Sequence, residues 1–597
     1  MKAGYAFSEH IRTEKVKRRH YEIERSFRMR DYLLPVVLVV SVLILIGRLF
    51  SLQIVQGNYY RQLADSNRIR TRIIHASRGV IFDRNGNPLV YNIPGFRETV
   101  NGKSIHLTRE QALALLAKGD QHVEIDSLRE YPYKDALAHV IGYLGQISPD
   151  ELKDAAFYSY QPTDWVGKSG IEEQYEHSLR GTDGKELIEV DALGRQVQSL
   201  GQTDPIPGQD ITLTIDAKLQ QQVYAAMSSV VHGAAIVSKP DGEILAMISK
   251  PSFDPNLFTL DQNYQPSSTS AYRSVQAILS DSQNQPLLNR AISGVYPPGS
   301  TFKLIVAAAG LEDHIIDEQY TITDPGILKV GTFSFANWYY TDYGLKEQGP
   351  INVVRAITRS NDIFFYKLAA KVGIDKISQE ARKFGLGALL GIDLPGEQAG
   401  LVPTVEWKQK TLGQPWYLGD TYNYGIGQGY LLTTPLQVNT WTQAIANNGT
   451  IYQPHLLKTQ EAKIMKQGLL SEKTVALLRQ GMVGACSTGG VGWPLFNFQF
   501  QIANFTYPID GKNFFIPANA TNSAQKKNQK DIGVSIACKT GTAQYGGAQT
   551  LPHAWITLFA PAYNPQVVVT VLSESSGEGS NIAGPIAKDI LTDYFEE

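Results

Sequence analysis

The chain opens on a basic stretch and passes abruptly into an apolar one. Lys15, Lys17, Arg18, Arg19, Arg25, Arg28 and Arg30 precede an apolar run over residues 32–47; Arg48 interrupts it, and residues 49–55 continue it with Ser51 and Gln53 included. A helix needs about 20 residues to cross the hydrocarbon core of a bilayer. Residues 32–55 therefore predict a membrane anchor in which Arg48 snorkels towards the outer interface. The basic flank predicts a cytoplasmic tail over residues 1–31, which leaves everything after residue 55 outside the cytoplasm. A cleaved signal peptide would need a shorter apolar core and an A-x-A-like site, and Arg48-Leu-Phe-Ser-Leu-Gln offers none. No later segment is apolar enough to span, so a single crossing is expected.

After the anchor the pattern is irregular, then sharpens. Residues 56–205 mix strand-like runs with Gly-rich turns; Asn85-Gly86 is a hairpin dipeptide between β-prone stretches, and short helical patches fall at 109–117 and 171–179. This predicts an extended α+β module. The linker Asp204-Pro-Ile-Pro-Gly-Gln precedes a strand at 211–215, and Asp216 is placed to cap a helix over 217–230. Residues 234–237 and 243–248 flank Pro240-Asp241-Gly242, which predicts a hairpin. Helices follow around 301–311, 353–372 and 434–446, then strands at 533–539, 554–559 and 567–572, and a final helix over 582–595. Helices in the middle and strands at both ends predict one large α+β domain over 206–597, its sheet built from both ends of the segment. Between them, residues 487–530 are rich in Gly, Asn and Phe, with Asn519, Asn522, Lys526, Lys527 and Lys530 near the end, and predict a long loop.

Composition narrows the chemistry. At 597 residues the chain is too long for one core. A balance of 55 basic against 57 acidic residues argues against a nucleic-acid binder, which carries a basic excess. Two cysteines, Cys486 and Cys538, supply neither a disulfide scaffold nor a cysteine zinc site. No H-E-x-x-H motif occurs, so neither a catalytic metal nor another cofactor is expected.

The densest chemical signal is Tyr296-Pro-Pro-Gly-Ser-Thr-Phe-Lys303, followed by an Ala-rich apolar helix. It sets Ser300 at a helix N-terminus, where free N–H groups favour negative charge. Lys303 lies three residues on, on the same face. A serine hydroxyl is a poor nucleophile until a base takes its proton, and a lysine serves if burial keeps its amine neutral. Alone, S-x-x-K is also met as an N-cap serine with a solvated lysine. Two later elements add weight: Ser360-Asn361-Asp362 before Ile-Phe-Phe-Tyr, and Lys539-Thr540-Gly541-Thr542 at the end of the strand 533–539. The ordered set S-x-x-K, S-D-N, K-T-G resembles that of the penicillin-binding proteins and class A β-lactamases. Gly391-Ile-Asp-Leu-Pro-Gly-Glu397, Gly425-Ile-Gly-Gln-Gly429 and Thr434-Pro-Leu-Gln437 also look like transpeptidase landmarks. Upstream, Arg78-Gly-Val-Ile-Phe-Asp-Arg84, Tyr131-Pro-Tyr133 and Gly170-Ile-Glu-Glu173 resemble the pedestal of the class B members.

That resemblance implies a serine β-lactamase-like α+β fold with an antiparallel sheet and helices, an extended pedestal over 56–205, and peptidoglycan stem peptides and β-lactams as ligands. Ser300 would attack the penultimate D-alanine carbonyl, Lys303 would take its proton, and Ser360 would relay a proton to the departing amine. Lys539 would attract the substrate carboxylate, helped by Thr540 and Thr542. Backbone N–H groups of Ser300 and Thr542 would form an oxyanion hole, where each donor contributes about 3–4 kcal/mol. Gly541 would let the substrate add to the strand edge. The family also implies a SEDS-type glycosyltransferase partner in the membrane. Asp362 departs from the amide of S-x-N: an ionised carboxylate accepts hydrogen bonds only, and S-x-D is similar to the elongation type. Between Gly95 and Arg129 there is little room for a large head domain. Cys538 precedes Lys539 where the family more often has glycine, and Cys486 and Cys538 are either a disulfide tying the long loop to the active-site strand or two buried thiols. A D,D-carboxypeptidase, a β-lactamase or β-lactam sensor, and a scaffold activating a glycosyltransferase are the competing readings.

Overall fold

The computed structural model describes residues 29–596 apart from 101–102, 119–122, 159, 192–195, 261–262, 345–347, 503–506, 518–529 and 548–549. The basic tail up to Arg28, and Asn519, Asn522, Lys526 and Lys527, lie outside the described residues. The chain forms two compact units, residues 1–73 with 185–203, and residues 74–184 with 204–597.

In the first unit a helix Met29–Phe50 runs on through a wider turn, Ser51–Val55. Its stretch Leu33–Val55 has a mean hydropathy of 2.7 and none of it is buried. At 1.5 Å per residue this stretch reaches roughly 35 Å, against about 30 Å of hydrocarbon. Length and composition thus suit a membrane span. A helix Gly57–Arg68 follows, and strands Ile69–Ile74, Gly184–Val190 and Gln196–Thr203 form a three-stranded sheet in that order. Arg68 pairs with Glu189 at 3.0 Å, and Arg72 pairs with Glu186.

The second unit begins with the Asn85-Gly86 hairpin, which joins Ile81–Phe82 to Pro88–Val100 with Gly86 at φ +88°. Helix Arg109–Ala117 starts on a Thr108–Gln111 capping box. The predicted patch 171–179 is divided between Gly170–Gln174 and Glu176–Arg180. Fully buried Glu172 lies between Arg78 at 2.6 Å and Arg129 at 2.7 Å. Burial alone would raise its carboxyl, but the flanking guanidiniums of Arg129 and Arg78 outweigh it and hold the group below the usual carboxylate range.

The large domain is built on a five-stranded antiparallel sheet. Strands β1 (Gly233–Ser238), β2 (Ile244–Lys250), β3 (Ala537–Ala543), β4 (His553–Ala560) and β5 (Val567–Ser573) lie in the order β2-β1-β5-β4-β3. As predicted, both ends of the segment contribute. Alternate residues face opposite ways. Trp555, Phe559, Val568 and Leu572 pack against helices α2 (Lys303–Glu312), α3 (Val353–Thr358), α4 (Asp362–Val372), α5 (Pro435–Ala446) and α6 (Glu472–Ala485). Ile556, Leu558, Val569 and Val571 pack against α1 (Ala217–Ala226) and α7 (Ala583–Glu596). Strand β3 stands at one edge of the sheet, and the chemistry gathers there.

Several boundaries differ from expectation, among them the strand expected at 211–215, which spans Ile211–Thr212. The helix expected over 353–372 is two, because Asn361 caps α4 by accepting from the Phe364 N–H at 2.8 Å and Ser360 takes φ +51°. A short polar side chain that bonds the backbone locally competes with helix continuation. The strand expected at 533–539 is also two: Lys530–Val534 joins Gln499–Ile502 and Phe514–Phe515 in a separate sheet, and β3 starts afresh at Ala537. Lys539 and its neighbours therefore lie within a strand and not at its end. That separate sheet also puts secondary structure into the predicted loop 487–530. Finally, helix α1 stops at Ala226, short of 230.

Candidate active site

Ser300 lies in a tight 3-10 turn, Gly299–Phe302, that leads into α2. Gly299 is at φ +55°, and a Cβ there would stand 2.9 Å from the Thr542 carbonyl. A Cβ on Gly541 would meet the Pro298 carbonyl and Thr301 at 3.0 Å. The serine turn and β3 thus touch backbone to backbone, which only glycine permits. Trp555 Nε1 donates to the Pro297 carbonyl at 3.1 Å, and the Gly299 N–H to the Gly427 carbonyl at 2.9 Å. Ser300 is half-buried, whereas Thr301 to Lys303 are buried.

Behind the serine lie two fully buried amines. Lys303 Nζ donates to Asp362 Oδ1 at 2.6 Å, to the Ser360 carbonyl at 2.8 Å and to Ser360 Oγ at 3.4 Å. Lys539 Nζ donates to the same Ser360 Oγ at 2.8 Å and to the Thr540 carbonyl at 2.8 Å. Ser360 Oγ therefore bridges the amines, a position opened by the break between α3 and α4. Burial depresses the Lys303 pKa, against the raising pull of Asp362. Lys539 is pushed well below the usual lysine value, first by burial and then by the charge of Lys303. One carboxylate serves two buried ammonium groups, so the site disfavours both being charged at once.

The predicted residues converge, with two differences. Among the described residues no hydrogen bond joins Ser300 to either amine: Lys303 is turned to Asp362 and Ser360. Lys539 does not reach outwards but is buried on Ser360, and only Thr542 of its motif is exposed. The Thr542 hydroxyl accepts from the Gly579 N–H at 3.3 Å, and its carbonyl from Gln428 Nε2 at 3.4 Å. Cys486 and Cys538 form a disulfide, with Cα atoms 5.8 Å apart, that ties the end of α6 to the residue before Lys539.

Sequence reasoning missed Trp338, whose backbone N–H donates to Asp362 Oδ2 at 2.9 Å. A backbone donor has no residue-type signature, so no signal could have shown it. It also missed a grouping of His75, Asp164 and Asp183, whose ligand atoms lie within 4.8 Å of one another. Arg180 pairs with both aspartates there, so cations of the chain already occupy the cluster.

A serine turn on the edge of a sheet, backed by two amines sharing one hydroxyl, defines a serine acyl-transferring enzyme. Residues 232–592 match the penicillin binding protein transpeptidase domain, and residues 121–213 the penicillin-binding protein dimerisation domain. The chain belongs to the penicillin-binding protein family. It is 33% identical to the peptidoglycan D,D-transpeptidase MrdA of Escherichia coli K12, over 96% of this chain and 95% of that protein. Among solved structures it resembles penicillin-binding protein 2 of Helicobacter pylori, determined in complex with MreC, with a TM-score of 0.70 and 28% identity over 88% of this chain and 98% of that one. It also resembles a chain of a peptidoglycan synthase complex in which polymerisation and crosslinking are coordinated, with a TM-score of 0.68 and 27% identity over 95% and 98%.

Proposed function

We propose that the chain is a peptidoglycan D,D-transpeptidase of the penicillin-binding protein 2 type, which crosslinks stem peptides during cell elongation through an acyl-enzyme on Ser300. The observation that carries this reading is the Ser360 hydroxyl held between the buried amines of Lys303 and Lys539. Burial depresses the Lys303 pKa, which favours the neutral form that a general base needs. In the resting geometry that amine is held by Asp362, and hydrogen bonds of this kind tighten onto the nucleophile only once substrate is bound.

Ser300 Oγ bonds to the penultimate D-alanine carbonyl carbon while its proton passes to Lys303. The N–H groups of Ser300 and Thr542 stabilise the oxyanion. As the peptide C–N bond breaks, the proton returns through Ser360 to the departing D-alanine nitrogen. A second stem peptide's amine then attacks the ester, losing a proton along the reverse path, and Ser300 recovers its hydrogen. A β-lactam enters by the same first step and stays as an acyl-enzyme. Because Lys539 is buried on Ser360, it holds that hydroxyl in place, while exposed Thr542 offers its own hydroxyl to the substrate carboxylate. Thr540 and Gly541 give the substrate a strand edge.

The domain division that accompanies this reading is a tail over 1–31, an anchor over 32–55, a pedestal over 56–205 and a transpeptidase domain over 206–597. The basic flank supports a cytoplasmic N-terminus and a catalytic domain outside the cell membrane. Its relatives' assemblies with MreC and within a peptidoglycan synthase complex support partners in the elongation machinery, among them a SEDS-type glycosyltransferase. Fluorescent penicillin should label the wild-type protein and not Ser300→Ala; equal labelling of both removes Ser300 from the mechanism. Incubation with a stem pentapeptide and an amine acceptor should give the joined product by mass spectrometry, and hydrolysis alone would make the enzyme a carboxypeptidase.

A further inference from the structure

The groups that hold Asp362 lead away from the site to a second carboxylate. Asp324 ends the strand Ile322–Asp324 and is buried. Its hydrogen-bond partners are neutral N–H donors: the Gly326 backbone at 2.7 Å on Oδ1, then Asn337 Nδ2 at 2.7 Å and Asn361 Nδ2 at 2.5 Å, both on Oδ2. A buried carboxylate is costly unless hydrogen-bonded, and bonds to an ionised acceptor are about twice as strong as neutral ones. This carboxylate grips two asparagines that have separate tasks. Asn361 stands between Ser360 and Asp362 and caps α4 with its other amide atom, accepting from the Phe364 N–H at 2.8 Å. Asn337 immediately precedes Trp338, whose N–H holds Asp362 Oδ2 at 2.9 Å and whose Nε1 donates to the Arg359 carbonyl at 3.2 Å. The other oxygen of Asp362 holds Lys303 at 2.6 Å.

We propose that Asp324 is a positioning residue for acylation, gripping Asn361 and Asn337 so that Asp362 stays on the Lys303 amine. This rests on the reading of Lys303 as the base. Asp324 touches neither Ser300 nor either amine; it acts through the two chain segments that meet at Asp362. A carboxylate suits this task because N–H donors face both of its oxygens, the two asparagines on Oδ2 and Gly326 on Oδ1. An amide in its place must turn its N–H₂ either to Gly326 or to the asparagines, and loses the charge that strengthens every bond. The charged groups that face Lys303 are Asp362 at the head of α4 and Lys539 on β3. Tyr366, on α4, is raised by burial and by Asp362 and stays neutral, and the Phe365 ring lies 5.6 Å from Nζ.

The test is the pH profile of acylation by fluorescent penicillin, measured on the full-length protein in detergent. Asp362 favours the charged form of Lys303, so loosening it lets the amine lose its proton more readily. For Asp324→Asn the acidic limb should move to lower pH by about half a unit or more, and the plateau rate should fall about tenfold. Asp362→Asn, run beside it, should move the limb the same way and further. A merely structural role for Asp324 would lower the plateau through misfolding and leave the limb in place. An unmoved limb in Asp362→Asn overturns the Lys303–Asp362 reading itself, and this inference with it. A moved limb there, with an unmoved one in folded Asp324→Asn, overturns the inference alone. Should Asp324→Asn fail to fold, Asn337→Ala removes one arm and leaves the carboxylate two donors; its limb should shift in the same direction, and an unshifted one overturns the proposal.

Discussion

In the proposed mechanism the proton traffic depends on Lys303 and Ser360, with Lys539 and Asp362 bonded to them. Lys303→Ala should lower the acylation rate by on the order of a thousandfold or more, as loss of a base and its proton path does. Near-normal labelling kinetics would overturn the base assignment. In the wild type the acylation rate should rise with pH along a limb that lies below the usual lysine value of about 10.4, because burial depresses the Lys303 amine. Stability has the matching sign. Both amines bind protons less readily folded than unfolded, so between the two pKa values the unfolded chain holds more protons and stability rises with pH. Removing the Lys539 amine, as in Lys539→Met, should therefore flatten this rise, so that the variant's stability relative to the wild type falls from neutral pH towards about pH 10, while acylation slows. Thermal melts across that range check the sign. These residues were legible in the sequence because side-chain type and order carry them. The inward turn of Lys539 was not, since burial depends on what packs above a strand.

At the scale of elements, the disulfide between α6 and β3 joins the support of the catalytic edge to its backbone. It closes a loop of 52 residues, and a cross-link of that span contributes about 2–4 kcal/mol. Cys486→Ser with Cys538→Ser should shift urea unfolding by that amount, and reductant should do the same to the wild type; identical midpoints would show the bond to be inert. Most elements were readable from periodicity: the Asn85-Gly86 hairpin, the Asp216 cap and the strands at 554–559 and 567–572 stand where the pattern put them. The break between α3 and α4 was missed although Arg359-Ser360-Asn361-Asp362 interrupts the apolar spacing, because a polar run alone does not end a helix. The side chain of Asn361, turned on its own backbone, and the positive φ of Ser360 stop it. The pairing of Cys486 with Cys538 was undecided for the same kind of reason, as neither residue's neighbours report a distance.

At the scale of the whole molecule, the apolar helix Leu33–Val55 makes the protein a membrane component by length and composition. Removing residues 1–55 should move it from the membrane to the soluble fraction while penicillin labelling of Ser300 persists; a truncated protein that still sediments with membranes would place the attachment elsewhere. The α+β class and the two-ended sheet were legible because strands cluster before and after the helices. The division into two compact units was not, because residues 185–203 return to the N-terminal unit from the middle of the chain, and a return of that kind leaves no local signal.

The order β2-β1-β5-β4-β3 has a consequence for biogenesis. The first-made hairpin waits with an open edge until residues near the C-terminus arrive, more than 300 positions later. During synthesis the half-made protein therefore exposes unsatisfied β-structure to whatever surrounds it. Any chain that stops short of residue 567 has no β5 to cover that edge, so it should be cleared or aggregate and not persist as a partial enzyme.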